Sequence, residues 1–315
     1  MTRAVVATAY GGPEVLAVVD VPAPAPGRGE VSVEVRAAAT NPFDLKLYSG
    51  ALGADPARLP IRLGSEAAGV VVAVGAGAAG PTGPVAVGDE VVVFPARGAY
   101  AERVVAPGSS VLAKPGALTF EESAGLMLAG TTAVHALTAV DVGVGDTVLV
   151  HGASGGVGSV VAQVAIARGA RVVGMASPAR HDDLRRLGVL PVPYGEGLAE
   201  RVRALAPGGV DAAVDTVGTD EAVDVSVDLV ADRRRVATIA AFARGAELGL
   251  SVLGSGPGAD PGSALREAAR VDLLRLVVAG ALRVRVARAF PLEQASDAHR
   301  MLSSGHAYGK VVLVP

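Results

Sequence analysis

The segment from Thr147 to Gly169 holds the residues best placed to do chemistry, and it does so with backbone rather than side chains. Val148, Leu149 and Val150 form a short apolar run, Ala153-Ser154-Gly155-Gly156-Val157-Gly158 turns the chain, and Val157, Val160, Val161, Val164 and Ala165 recur at helical spacing. This reads as a buried strand turning on glycines into a helix. Glycines let the main chain come close to a charged ligand, and unpaired amides at the helix start point toward negative charge, so the turn suits a pyrophosphate. Gly169 is placed to cap the helix, and a second strand is expected over Ala170 to Ala176. A glycine turn alone matches many loops, and Ala153 stands where the fingerprint has its first glycine. The flanking strand, helix and second strand make a dinucleotide site the reading here.

The choice of dinucleotide falls at the end of the second strand, where an acidic side chain usually meets the ribose 2′-hydroxyl. That position is Ala176, twenty-three residues after Ala153. No carboxylate stands there to repel a 2′-phosphate. Ser177 offers a hydroxyl and Arg180 a forked cation that matches phosphate oxygens, so NADPH is expected over NADH. The alternative is that Arg180 is only a solvated residue before the next helix, which Asp182 or Asp183 could cap.

These elements belong to a chain of 315 residues, half of them hydrophobic, a size that fits two domains. With five Tyr, five Phe and no Trp, the cores must be built from Val, Ala and Leu, and base-stacking platforms for nucleic acid are not expected. A formal charge of −3 with no long basic run implies neither a polyanion nor an anionic membrane as partner. The absence of cysteine removes disulfides, thiolate nucleophiles and Cys-based zinc sites. No secretory signal or spanning apolar window is visible, which makes a soluble cytoplasmic protein the default expectation.

Up to about residue 118 the chain alternates. Val31, Val33 and Val35 are set against Ser32, Glu34 and Arg36, and valine-rich runs at Ala4 to Ala7, Ala68 to Val74 and Glu90 to Phe94 are separated by Gly/Pro clusters such as residues 22–29 and 75–88. From about 119 helices and strands alternate, beginning with an apolar segment at 122–139. Strands are expected at Ala212 to Asp215 and Val236 to Ala240. A loop at 254–262 precedes a helix over Ala264 to Ala279, then a strand at Val284 to Phe290, a helix at Leu292 to Ser303 and a last strand at Val311 to Val314. The fold class is α/β, with a β domain beside a doubly wound parallel sheet.

Read in order, Tyr10-Gly-Gly-Pro-Glu-Val-Leu16, Ala39-Thr-Asn-Pro-Phe-Asp44, Leu63-Gly-Ser-Glu-Ala-Ala-Gly-Val70, Gly88-Asp-Glu-Val-Val92, Gly98-Ala-Tyr-Ala-Glu102, Ala129-Gly-Thr-Thr-Ala133, the glycine turn and Gly309-Lys-Val-Val-Leu313 resemble the medium-chain dehydrogenase/reductase superfamily. The likeness is to its zinc-free quinone oxidoreductase (zeta-crystallin-like) branch. The resemblance implies a GroES-like β domain over 1–118 and 284–315, and a Rossmann domain that binds NADPH over 119–283. It also implies an active site in the cleft between them. Asn41 and Ser65 stand where zinc-dependent members carry Cys and His, and neutral amide and hydroxyl oxygens do not replace those ligands. The histidines, at 135, 151, 181, 299 and 306, show no ligand spacing and are read as structural or surface residues.

By the same resemblance, Asn41 and Thr131 border the nicotinamide, Ser154, Gly155, Gly156 and Val157 bind the pyrophosphate, and Ser177 with Arg180 take the 2′-phosphate. Tyr194 lies beside the adenosine end, Val217, Gly218, Ala241 and Phe242 beside the nicotinamide end, and Lys310 reaches the cofactor from the last strand. Lys46 and Tyr48 are the two residues that could donate a proton, with solvent as the alternative source for a quinone. Asp215 is read as structural. The implied activity is NADPH-dependent hydride transfer to quinones or related α,β-unsaturated carbonyls. A 2-enoyl reductase of a biosynthetic pathway and a non-catalytic NADPH-binding protein are the alternatives. A homodimer is implied, paired through an edge strand over Glu247 to Leu253.

Overall fold

The computed structural model describes residues 1–315 except Pro24, Pro257 and His306, so the readings of His306 and of the two prolines' turns at those positions lie outside the described residues. The chain divides into two units, Met1–Leu128 with Val284–Pro315, and Ala129–Arg283. The change of character expected at 119 falls before this division. The helix Phe120–Ala124 packs on the strands Glu30–Ala39 and Ala67–Val74, which keeps it with the first unit.

The first unit is built on a seven-stranded sheet in the order Val111–Ala113, Glu90–Val93, Ala67–Val74, Glu30–Ala39, Lys310–Val314, Val286–Pro291, with Arg103–Pro107 also paired to Glu30–Ala39. A smaller sheet sets Thr2–Ala7 between Leu16–Val21 and Ile61–Arg62. Val31, Val33 and Val35 enter the main core as their alternation predicts. Ser32 is buried as well. Register slips between Val35 and Ala37, and this irregularity re-aims the strand: Ala38 stays with the main core, while Ala37 and Ala39 turn to a second cluster with Ala124 and Val312. The bend delivers Thr40 and Asn41 to the start of the helix Pro42–Tyr48.

The second unit is a six-stranded parallel sheet. Its strands are β1 (Thr147–His151), β2 (Arg171–Met175), β3 (Leu190–Val192), β4 (Ala212–Asp215), β5 (Val236–Thr238) and β6 (Ser251–Val252), in the spatial order β3-β2-β1-β4-β5-β6. The order reverses beside β1, so the crevice at the carboxyl ends of β1 and β4 is the ligand position of a doubly wound sheet. The five residues of β1 are all buried.

The edge strand expected over Glu247 to Leu253 shrinks to two residues. The helix Phe242–Glu247 takes up its start, Gly249 turns at φ 70°, and the outer side is occupied by the chain itself. Asp260 N–H donates to Val252 O at 2.9 Å, and Gly254 N–H donates to Asp260 O at 2.8 Å. Asp260 thus occupies the outer side of β6 at Val252 O and Gly254 N–H.

Candidate functional site

The turn between β1 and the helix Gly158–Ala167 is held open by its own backbone. Gly155 N–H donates to Gly152 O at 2.9 Å and Ala153 N–H to Met175 O at 3.0 Å, while Gly152 takes φ 73°. The amides of Ser154, Gly156 and Val157 have no acceptor among the described residues, and all three residues are only partly buried. Orphan donors in a turn that opens a helix are a ready anion cradle, and they fit a pyrophosphate. Close packing sets the cradle's shape: a Cβ at Gly158 would lie 2.2 Å from Gly152 O, and one at Gly174 would lie 2.8 Å from Ala153 Cβ.

The sheet gathers the other expected residues at the same strand ends. Ser177 and Arg180 lie in the turn after β2, both half-buried. His181 Nε2 lies 3.2 Å from Ala176 O and pins that turn. Asp182 and Asp183 do not cap the next helix; they pair at i, i+3 with Arg185 and Arg186. Tyr194 follows β3 and is 58 % exposed. Val217 and Gly218 follow β4, where Asp215 Oδ1 accepts both of their N–H groups at 2.9 Å and Oδ2 accepts Thr238 Oγ1–H at 2.7 Å. Asp215 is thus a structural tie, as read. Ala241 and Phe242 begin the helix after β5, and Thr131 is buried in the helix Met127–Ala139.

In the first unit, Lys310 does not extend outward. Its Nζ donates to Asn41 Oδ1 at 2.5 Å and to Glu66 Oε1 at 3.1 Å, with Lys310 6 % and Glu66 0 % exposed. Asn41 Nδ2 donates in turn to Glu66 Oε1 at 3.1 Å and to Ala39 O at 3.3 Å, which fixes the amide's orientation. Glu66 Oε2 accepts Leu128 N–H at 2.7 Å, at the start of the helix Met127–Ala139. Lys46 and Tyr48 lie on the helix Pro42–Tyr48 and part company. Lys46 is half-buried, and desolvation lowers its ammonium pKa.

Tyr48 is turned into the core, which removes it as a proton donor to a bound substrate. Its hydroxyl meets His299 Nδ1 at 2.9 Å, His299 Nε2 meets Tyr100 Oη at 3.2 Å, and Tyr100 O–H donates to Asp44 Oδ2 at 2.9 Å. Because Tyr100 donates to the carboxylate, its oxygen accepts from His299 Nε2–H, and His299 Nδ1 accepts from Tyr48. Asp44 also accepts Asn41 N–H and Gly64 N–H. The chain of bonds begins and ends on the helix that carries Lys46.

Burial shifts these groups in opposite senses. Desolvation pushes Asp44 up to about 6 and His299 down to about 4, and it takes His151, held against Ser226 and Met175, to about 4 as well. Between pH 6.5 and 4 the unfolded chain binds two imidazole protons that the folded one refuses, so both histidines withdraw stability as pH falls. Asp44 acts the other way between 3.8 and 6, since its folded form holds the proton longer. Two groups against one leave a net loss, and urea unfolding should give a stability lower by about 2 kcal/mol at pH 5 than at pH 7. A flat profile would contradict the neutral burial of both histidines.

Glu66, Asp44, Tyr100 and His299 escaped the reading of the sequence as site residues. Asp44 had a usable signal, standing three residues after Asn41 in a capping-box position. Among the described residues, no group of three or more His, Cys, Asp or Glu side chains could hold a metal ion, and no helix is long and apolar enough to cross a membrane.

Two family profiles match the chain: "Alcohol dehydrogenase GroES-like domain" over residues 27–116 and "Zinc-binding dehydrogenase" over 191–313. The quinone oxidoreductase of Pseudomonas aeruginosa is 34 % identical, covering 100 % of both chains. A solved NAD-dependent alcohol dehydrogenase is similar at TM-score 0.86 and 34 % identity over 99 % of each chain. A mycobacterial protein solved in complex with NADPH is similar at TM-score 0.83 and 34 % identity over 100 % of each.

Proposed function

Because the chain belongs to the medium-chain dehydrogenase/reductase superfamily, in its quinone oxidoreductase branch, and is an oxidoreductase, we propose that it reduces quinones or related α,β-unsaturated carbonyls with NADPH and without zinc. The observation that carries the cofactor is the turn at 152–158, with orphan amides at Ser154, Gly156 and Val157. These residues and Gly155 take the pyrophosphate. Ser177 and Arg180 take the 2′-phosphate, Tyr194 the adenosine end, and Thr131, Val217, Gly218, Ala241 and Phe242 the nicotinamide end. When bound, the cofactor supplies a hydride.

Asn41 supports a metal-free reaction by what it is already doing. Its oxygen is held by Lys310 and its nitrogen by Glu66, so the residue that replaces a zinc-liganding Cys is committed to a buried network. Lys310 then serves the site through Asn41 rather than by direct contact. Lys46 is the proton or hydrogen-bond donor of the proposal, since desolvation makes its ammonium a stronger acid. This favours a second reading, a 2-enoyl reductase, because protonation beside the carbonyl needs a specific donor whereas a reduced quinone takes its proton from water. Cytoplasmic residence and a homodimer complete the proposal. A 31.2 kDa species in light scattering would overturn the dimer.

The test is NADPH oxidation with a simple quinone and an α,β-unsaturated ketone in parallel, with NADH and a chelator as controls. Faster turnover with NADPH than with NADH, unaffected by chelator, is expected. Lys46→Ala should lower enone reduction about 10²-fold, the scale of general acid catalysis, and quinone reduction far less. Binding of NADPH without oxidation by either acceptor would sink the enzyme reading in favour of a cofactor-binding protein.

A further inference from the structure

The turn that carries Tyr194 is held by more bonds than a surface loop needs. Arg201, one helical turn into Leu198–Leu205, reaches back to three of its carbonyls: Nη1 donates to Glu196 O at 2.6 Å, and Nη2 to Pro193 O at 3.0 Å and Gly195 O at 2.8 Å. Its Nε is buried without a partner among the described residues, an arrangement that stability alone does not favour. From the other side, Glu221 Oε1 accepts Gly195 N–H at 2.8 Å. Between these clamps Tyr194 stands 58 % exposed, on a backbone tied at the residues on either side of it.

Sheet order gives the second clamp its meaning. The Tyr194 turn follows β3, whereas Glu221 lies in the first turn of the helix Asp220–Leu229, just beyond Val217 and Gly218 at the end of β4. β3 and β4 are three positions apart in the sheet, about 14 Å at ~4.8 Å per strand. The Gly195–Glu221 bond therefore ties together two turns whose strands are separated in the sheet by β2 and β1. It joins the turn assigned to the adenosine end of the cofactor to the one assigned to the nicotinamide end.

We propose that Arg201 and Glu221 are positioning residues for the cofactor, holding the 193–197 turn so that Tyr194 is set against the adenosine end of NADPH before it binds. This rests on the NADPH reading above. A turn already held in place loses less freedom on binding, so the clamps raise affinity without touching the ligand.

The experiment is NADPH affinity, measured by the fluorescence of the bound nicotinamide, in a double-mutant cycle on the full chain. Arg201→Ala and Glu221→Ala should each raise Kd about ten-fold, and Glu221→Gln, whose amide oxygen still accepts Gly195 N–H, should restore it. In a Tyr194→Ala background, Arg201→Ala should change Kd less than about two-fold, because its effect runs through the ring. Glu221→Ala in the same background repeats the test if the arginine variant does not fold. Equal effects with and without Tyr194, or no effect of Tyr194→Ala alone, would overturn the inference and leave the NADPH reading standing. Failure of the unaltered chain to bind NADPH would remove that reading, and the inference with it.

Discussion

Replacing Lys310 with Met should lower the unfolding free energy by about 3–5 kcal/mol, the scale for breaking a buried ion pair from one side. Glu66 is fully buried, and without the ammonium its charge would face only the Asn41 amide and Leu128 N–H. Asn41 Oδ1 would lose its donor at the same stroke. Adding Glu66→Gln should return most of the loss. The new amide can keep its oxygen on Leu128 N–H, and it carries no charge to be left unpaired in the core; the bond from Asn41 Nδ2 to Ala39 O is kept, and only the bond between the two amides is lost. Strong non-additivity is thus expected, as for any pair sharing one network. Urea titration of both single variants and the double one decides it. A cost below ~1 kcal/mol for Lys310→Met would put the pair on the scale of an exposed one and end the argument. The same three proteins test the proposal that Lys310 serves the cofactor. Action through Asn41 predicts that NADPH affinity recovers with stability in the double variant; direct contact predicts that it does not.

What could be read from the sequence divides along a physical line. The form of the glycine turn was legible because it is local: strand, glycines and helix follow one another within a score of residues. The parallel sheet follows from that same alternation, whereas its β3-β2-β1-β4-β5-β6 order is known only from the structure. The Lys310–Asn41–Glu66 cluster was not legible, because its members lie up to 269 positions apart and only the pairing of the last strand with Glu30–Ala39 brings them together. Lys310 read alone is a cation that could reach anything nearby. Tyr48 failed for a different reason. It stands one helical turn after Asp44, so both face inward together, and an aromatic beside a carboxylate on a buried face belongs to the core rather than to a site. The strand read over 247–253 came out two residues long because the helix Phe242–Glu247 takes its start and Gly249 turns at φ 70°, neither of which an apolar run reveals.

Within the cradle, the glycines should separate by function when each is given a single methyl group. At Gly158 the added Cβ would lie 2.2 Å from Gly152 O and 3.2 Å from Ala153 Cα, both backbone atoms with nowhere to go. The helix Gly158–Ala167 would have to move off β1, and Gly158→Ala should cost about 1–3 kcal/mol of stability, the usual penalty for forcing volume into a packed site. That displacement carries the amides of Gly156 and Val157 with it, so NADPH affinity should fall by at least about ten-fold, since anion cradles depend on fixed donors. At Gly155 the Cβ would meet only Gly152 O, at 3.3 Å, a contact that a few tenths of an ångström relieve. Gly155→Ala should therefore unfold within about 1 kcal/mol of the parent, inside the range of a tolerated substitution. Its NADPH affinity should nevertheless drop, because the methyl group stands where a phosphate must approach the backbone. Thermal unfolding and nicotinamide fluorescence on the two variants separate a packing glycine from an approach glycine. Equal loss of stability in both would mean that the turn is one rigid packing unit, and unchanged affinity in Gly155→Ala would move the pyrophosphate away from this turn.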